Sequence, residues 1–282
     1  MLYDLSRRQR MTLAASLRLQ HHLFLHTLGT LLPGEISIEP SENVLNVFCG
    51  PGIWAIDLAL INTKLNIVAI DPDPQMVYLA RADAHSANVA AITFAPYTLS
   101  QTLPYHESSF DLIYIQDAPV SMTLPQWTAL LTELMRVLRP GGWLYLTALE
   151  PGPTSSVAAD TLLSRQRDIL LMQQQQKQHE PSFMPTVLYP RLLSETGYSD
   201  VAYTLTPVDL GNQAGSFGHN YTLILLPAHL RAAHFLVAKQ QMTQIEIDKL
   251  FAQIHADAQD THYCSTGMII EVIARKRDMQ NG

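Results

Sequence analysis

Between residues 44 and 149, short runs rich in β-branched and aromatic residues alternate with amphipathic stretches. That alternation predicts repeated strand–helix units around a mainly parallel sheet. The expected strands are 44–48, 66–70, 91–94, 110–115 and 143–149. Between them, 53–61 places Ile53, Ile56, Leu60 and Ile61 on one helical stripe, and 74–85 opens on a proline suited to a first helical turn. Residues 123–138 carry Leu130, Leu131, Leu134, Val137 and Leu138 at helical spacing and stop at Arg139-Pro140-Gly141-Gly142.

The flanks read differently. Residues 5–28 predict a helix or helix pair leading to Pro33-Gly34, with His21, His22 and His26 on or near one face. Residues 154–180 predict a helix ending in the polar run 172–180, a solvated face or mobile loop. A helix at 189–196 ending at Gly197, a strand at 201–206, helices at 228–239 and 244–258, and a last strand at 267–274 follow, with no internal repeat.

Length and composition narrow the function classes. A chain of 282 residues suits one large domain, or a domain with a cap. A hydrophobic fraction of 47%, 15% charged residues, a formal charge of −7 and a pI near 5.8 fit a globule acting on a small or apolar substrate. They disfavour nucleic acid, because phosphate binding needs clustered Lys and Arg. Cys49 and Cys264 offer neither a disulfide framework nor a paired metal pattern, and no HExxH or carboxylate–histidine cluster occurs, so no metal is expected. Residues 1–20 carry four arginines without the apolar run of a signal peptide, and no apolar run reaches membrane-spanning length. A reducing, cytoplasmic setting is the expectation.

The chemistry begins at "VLNVFCGPGIWAIDLAL". Gly50, Gly52 and Ala55 fit G-x-G-x-x-A, a turn that lets backbone approach a ligand and aims a helix N-terminus at it. Asp71 lies 19 residues beyond Gly52 at the end of the next strand, where a carboxylate can accept bonds from ribose hydroxyls. Together they point to an adenosine cofactor, either NAD or S-adenosylmethionine. "LPYHESSFDLIYI", followed after one helix by "ELMRVLRPGGWLYLTALE", resembles the class I S-adenosylmethionine-dependent methyltransferases and argues against a dehydrogenase. "SLRLQHHLFLHTLGTLLP", "IDPDPQMVYLARADA" and "LEPGPTSSVAADTL" extend the resemblance to bacterial small-molecule enzymes of the methyltransferase-domain 11/25 type, over about residues 10–160.

The resemblance implies a Rossmann-like α/β fold. Its seven-stranded sheet has the order 3-2-1-4-5-7-6, only strand seven antiparallel, helices on both faces and a helical cap. It divides the chain into a lid (1–40), a cofactor-binding core (41–152), a helical cap (153–185) and the rest of the core (186–282), with a cap insertion at about 215–260. It implies that Gly50 and Gly52 line the methionine and ribose side, that Asp71 takes the ribose hydroxyls, and that Pro72 with Gln75 or Met76 sits near the adenine. Thr98 and Leu99 fall where the family places its adenine-site acid, and Gln116 and Asp117 face the sulfonium and substrate. Asn46 stands where the family commonly has an Asp that positions the cofactor's ammonium group. An amide there keeps an acceptor oxygen and gives up the charge. Phe48 either crowds the cofactor's methionine end or turns aside into the sheet–helix interface, and Cys49 sits within the same loop.

Methyl transfer from a sulfonium is an in-line displacement in which alignment does much of the work, and a base is needed only for a protonated nucleophile. Candidate bases are His21, His22, His219 and Glu150; Tyr3, Tyr105, Trp54 and Trp127 are candidate pocket aromatics. Cys49 has no neighbouring cation to make it a nucleophile. The reading is a methyltransferase acting on a small organic molecule, a specialised metabolite, at oxygen, nitrogen or carbon, as a monomer or homodimer. The alternative is a non-methylating member that binds a cofactor or ligand.

Overall fold

The computed structural model describes residues 6–97, 102–117, 122, 124–176, 189–212 and 220–277. In chain order the elements are α1 (Arg7–Leu28), β1 (Asn43–Val47), α2 (Ile53–Ile61), β2 (Asn66–Asp71), α3 (Pro74–Ser86), β3 (Ile92–Pro96), β4 (Phe110–Gln116) and α4 (Leu124–Val137). They continue with β5 (Leu138–Thr154), α5 (Val157–Gln176), α6 (Tyr189–Glu195), β6 (Ser199–Asp209), α7 (Tyr221–Ile224), α8 (Leu226–Ala238), α9 (Gln244–Asp257) and β7 (Ser265–Arg275). The sheet order is β3-β2-β1-β4-β5-β7-β6, and β7 runs antiparallel to both of its neighbours.

Helix ends follow local chemistry. Ser6 and Gln9 form a capping box at the start of α1, and Gly29 closes it with φ 72°. Asp73 caps α3 by accepting the Gln75 N–H, with Pro74 in the first turn. The central strands are apolar on both faces because helices cover both. On one face Leu45, Val47, Ile113 and Ile115 pack with α4 and α6. On the other, Val44, Ile67, Ala69 and Leu112 pack with α2 and α3. A separate apolar cluster joins α1, α5, α8 and α9 through Leu23, Phe24, Leu162, Ala232, Leu236, Ile247 and Ile254.

Three expectations need correction. The buried residues of α2 are Trp54, Ala55, Ile56, Leu58 and Ala59, whereas Leu60 and Ile61 are exposed. In so uniformly apolar a helix, periodicity cannot pick the inward face. The fifth strand runs from Leu138 to Thr154 instead of 143–149, because the antiparallel ladder with β7 continues as far as Thr154 opposite Ser265. Finally, the three histidines of α1 do not share a face: His21 is buried, and His22 and His26 are exposed.

The Phe110-Asp111 and Arg139–Gly142 segments are joined at the opposite end of the sheet from the β1 loop. Asp111 Oδ2 accepts the Asn43 N–H at 2.8 Å, and its Oδ1 accepts from Arg139 Nη1 at 2.6 Å. A Cβ on Gly142 would lie 2.9 Å from the carbonyl oxygens of both Arg139 and Asp111, so only glycine fits. No helix among the described residues is long and apolar enough to cross a membrane.

Candidate functional site

The parallel register aligns Val47 with Ile70 and Ile115, so the C-terminal ends of β1, β2 and β4 open together, as ligand sites in such sheets require. Phe48 turns the chain with φ 56°. The Cys49 N–H still reaches the Ile70 carbonyl at 3.0 Å, and the Gly52 N–H closes the turn onto the Cys49 carbonyl at 2.9 Å. The Gly50 N–H donates to Asp71 Oδ2 at 2.9 Å, and Asp71 Oδ1 accepts the Asp73 N–H at 2.8 Å. One carboxylate thereby fastens the glycine turn to the start of α3. Burial pushes the Asp71 carboxyl from the ordinary 3.8 to about 6, against the lowering effect of these two N–H donors.

The glycines have different reasons. A Cβ on Gly50 would meet only the Leu17 Cδ1 methyl, at 3.0 Å, whereas one on Gly52 would lie 2.7 Å from Phe94 Cε1 and 2.8 Å from Ala80 Cβ. Gly50 borders a cavity; Gly52 lets α2 pack on β3 and α3.

That cavity, about 30 Å³, is walled by Leu17 and His21 of α1, Asn46, the Phe48–Pro51 turn, Ile53, Trp54, Tyr114 and Gln116. It has room for about two water molecules, while small-molecule sites run to ~300–1,000 Å³. Asn46 is 2% exposed; its Nδ2 donates to the Tyr114 carbonyl at 3.4 Å, and its Oδ1 is buried without a partner. The Trp54 ring stacks on Tyr114 at 4.0 Å, and the Tyr114 hydroxyl lies 2.8 Å from Thr147 Oγ1 and donates to Gln116 Oε1 at 3.3 Å. His21 is buried, with Nε2 2.9 Å from Asp57 Oδ2.

Helix α1 forms the roof and is tied by charge. Arg10 pairs with Asp73 at 3.2 Å, Arg18 Nε donates to Asp83 Oδ2 at 3.0 Å, and His21 meets Asp57. The Phe48 ring belongs to the apolar cluster on the α4 side and also borders the cavity, so it is both part of the sheet–helix interface and part of the cavity wall.

Other expected residues fall as follows. Pro72 and Gln75 are half-buried at the start of α3. Met76 is buried against Leu13 and Ala14 of α1, a packed position rather than an open adenine surface. Asp117, with φ 45°, clamps β4 to β5: its N–H donates to the Thr147 carbonyl at 2.9 Å, and its Oδ1 accepts the Leu149 N–H at 3.0 Å. Glu150 lies within β5 opposite Met268, not at its end, and His22 faces away from the cavity that His21 lines. Trp127, 5.1 Å from Tyr189, and Tyr105, edge-on to Phe110 at 5.0 Å, pack in the α4-side cluster. Thr98, Leu99, His219 and Tyr3 lie outside the described residues. Burial and the neighbouring Asp71 charge push the Cys49 thiol well up, away from a thiolate role. Among the described residues no group of His, Cys, Asp and Glu could hold a metal ion.

Sequence reasoning missed Leu17, Asp57, Tyr114 and Thr147. Asp57 had a visible signal, being the single charge in the apolar helix "IWAIDLALI"; the others depend on which elements meet in space.

Known proteins bear on this geometry. A methyltransferase-domain profile matches residues 44–142. The chain is 31% identical to an uncharacterized methyltransferase of Synechocystis sp. over 114 residues, 40% of this chain and 50% of that one. It is 30% identical to the 27-O-demethylrifamycin SV methyltransferase of Amycolatopsis mediterranei over 115 residues, 41% of each. The matched region spans half or less of these curated relatives. Among solved structures, the [4+2]-cyclase SpnF shares the fold with a TM-score of 0.54 at 17% identity, covering 93% of this chain and 81% of that one. The matched methyltransferase domain runs from β1 to the glycines of β5, and around it the chain carries the seven-stranded Rossmann-like sheet of the class I methyltransferase fold.

Proposed function

We propose that the protein transfers a methyl group from S-adenosylmethionine to a small organic acceptor, a specialised metabolite. The observation that carries this reading is the Asp71 carboxylate held by the Gly50 and Asp73 N–H groups beside a cavity that contains an orphaned acceptor, Asn46 Oδ1. These groups fit the cofactor in kind, a buried carboxylate for vicinal hydroxyls and an unpaired oxygen for an ammonium group. The space between these groups and α1 is narrow, so entry of the cofactor would involve movement of α1.

When bound, the cofactor supplies an electrophilic methyl group on a positively charged sulfur. The chain's own part is to hold and align. Asp71 would take the ribose hydroxyls, Asn46 the amino-acid end, and Gln116 at the end of β4 the space beside the methyl group. Returning over the turn, α1 would exclude water. The curated relative acting on a demethylrifamycin supports a small-molecule acceptor.

Calorimetric titration with S-adenosylhomocysteine, followed by transfer of labelled methyl to a panel of phenols, amines and carbon acids, tests this. Saturable binding that Asp71→Ala abolishes is the expected result; no binding of either cofactor form would overturn the reading.

A second reading has its own support. The uncharged Asn46 and a fold neighbour that is a [4+2]-cyclase favour a member that binds a ligand without methylating it. Cofactor binding without turnover on any acceptor would select it.

A further inference from the structure

The polar wall of the cavity is one-sided. Asn46 Oδ1 is buried and unpartnered, Gln116 Oε1 is an acceptor, and among the described residues neither Lys nor Arg lines the space. Such a wall favours a cation. The residue at 46 is neutral, so a cation placed there lacks a direct counter-charge on β1. Asp71 holds the N–H groups of Gly50 and Asp73 and, on the reading above, the ribose hydroxyls. The other carboxylate hydrogen-bonded to the cavity wall is Asp57, whose Oδ2 lies 2.9 Å from His21 Nε2. With Nε2–H given to Asp57, the ring's remaining polar atom, Nδ1, is an acceptor that carries the influence of that carboxylate.

We propose that Asp57, acting through His21, supplies the negative charge that Asn46 lacks, so that the ammonium end of the cofactor is held jointly by Asn46 Oδ1 and His21. His21 is then a binding residue and Asp57 a positioning residue. The inference rests on the cofactor reading above and assigns its amino-acid end to side chains that the β1 motif does not contain. It also makes closure of α1 part of recognition, since His21 is on the roof and Asp57 on the floor.

The test uses the full chain and two probes, S-adenosylhomocysteine, which carries the amino-acid end, and 5′-methylthioadenosine, which lacks it. Asp57→Asn is expected to weaken the first about tenfold, as loss of a charge-assisted contact does, and to leave the second unchanged. His21→Asn should do the same. Adding Asn46→Asp to Asp57→Asn should restore affinity for S-adenosylhomocysteine by returning the carboxylate directly. Equal loss of both probes in Asp57→Asn, or failure of Asn46→Asp to rescue, would overturn the inference while leaving the cofactor reading intact. Wild-type protein that binds neither probe would overturn both.

Discussion

Asp71 Oδ2 accepts the Gly50 N–H at 2.9 Å, so the acid ending β2 and the glycine turn after β1 are a single piece of structure. Burial of the carboxyl is the cost of that arrangement.

A pH dependence follows from that burial. The folded value of about 6 lies above the ordinary 3.8, so the native state holds the extra proton between them. The contribution of Asp71 to stability is therefore greatest below about pH 4 and falls as pH rises through 6, to a penalty of about 3 kcal/mol. Thermal melts from pH 4 to 8 should show this decline in the parent and lose it in Asp71→Asn. Affinity for S-adenosylhomocysteine should move the other way, dropping as pH falls through 6, because a protonated carboxyl accepts fewer hydroxyl bonds.

The two glycines of the turn should separate in stability. Gly52→Ala places a methyl group 2.7 Å from Phe94 Cε1 at φ 77°, and should destabilise by about 3 kcal/mol from overpacking and left-handed strain. Gly50→Ala meets only the Leu17 methyl at φ 53° and should cost about 1 kcal/mol. Urea denaturation of both variants compares them directly; equal losses would contradict the packing assignment of Gly52.

Asp111 should matter for folding and not for ligand. Its carboxylate serves the Asn43 N–H and Arg139, and Asp111→Ala leaves both donors without that acceptor, at about 2 kcal/mol. A lowered urea midpoint with unchanged S-adenosylhomocysteine affinity is expected in the surviving folded protein.

Helix α1 should behave as a charge-tied roof. Arg10→Ala with Arg18→Ala removes its ties to Asp73 and Asp83. Partly exposed pairs of this kind contribute up to ~1 kcal/mol each, enough to raise local opening severalfold. Hydrogen exchange of the α1 amides should accelerate in the double variant and in high salt, and association of S-adenosylhomocysteine should speed up in parallel. Unchanged exchange would mean that the apolar contacts of Leu13, Ala14, Leu23 and Phe24, with the His21–Asp57 contact, hold the roof down without the arginines.

Much of the sheet could be read before folding. Strands β1, β2 and β4 announce themselves as apolar runs between glycines, prolines and polar turns. The order of the glycine turn, Asp71, Phe110-Asp111 and Arg139–Gly142 is enough to point to the methyltransferase domain that the profile matches over residues 44–142. Helix α4 was legible for the same reason, its buried Leu130, Leu131, Leu134 and Val137 falling on one face of an otherwise polar helix. Helix α2 was not: where every side is apolar, only the neighbours decide which is buried, and Leu60 and Ile61 ended outside.

The site divides along the same line. Local sequence determines the positive-φ glycines, the cap of α3 and the acid after β2, because each depends on a few adjacent residues. Tertiary structure alone decides that His21 and not His22 faces the cavity, that Asp57 stands behind it, and that Asn46 Oδ1 is left without a partner. Those facts arise where α1, α2 and the sheet meet across dozens of residues of chain. Contacts of that range leave no spacing to count; they exist only once the roof has settled on the floor.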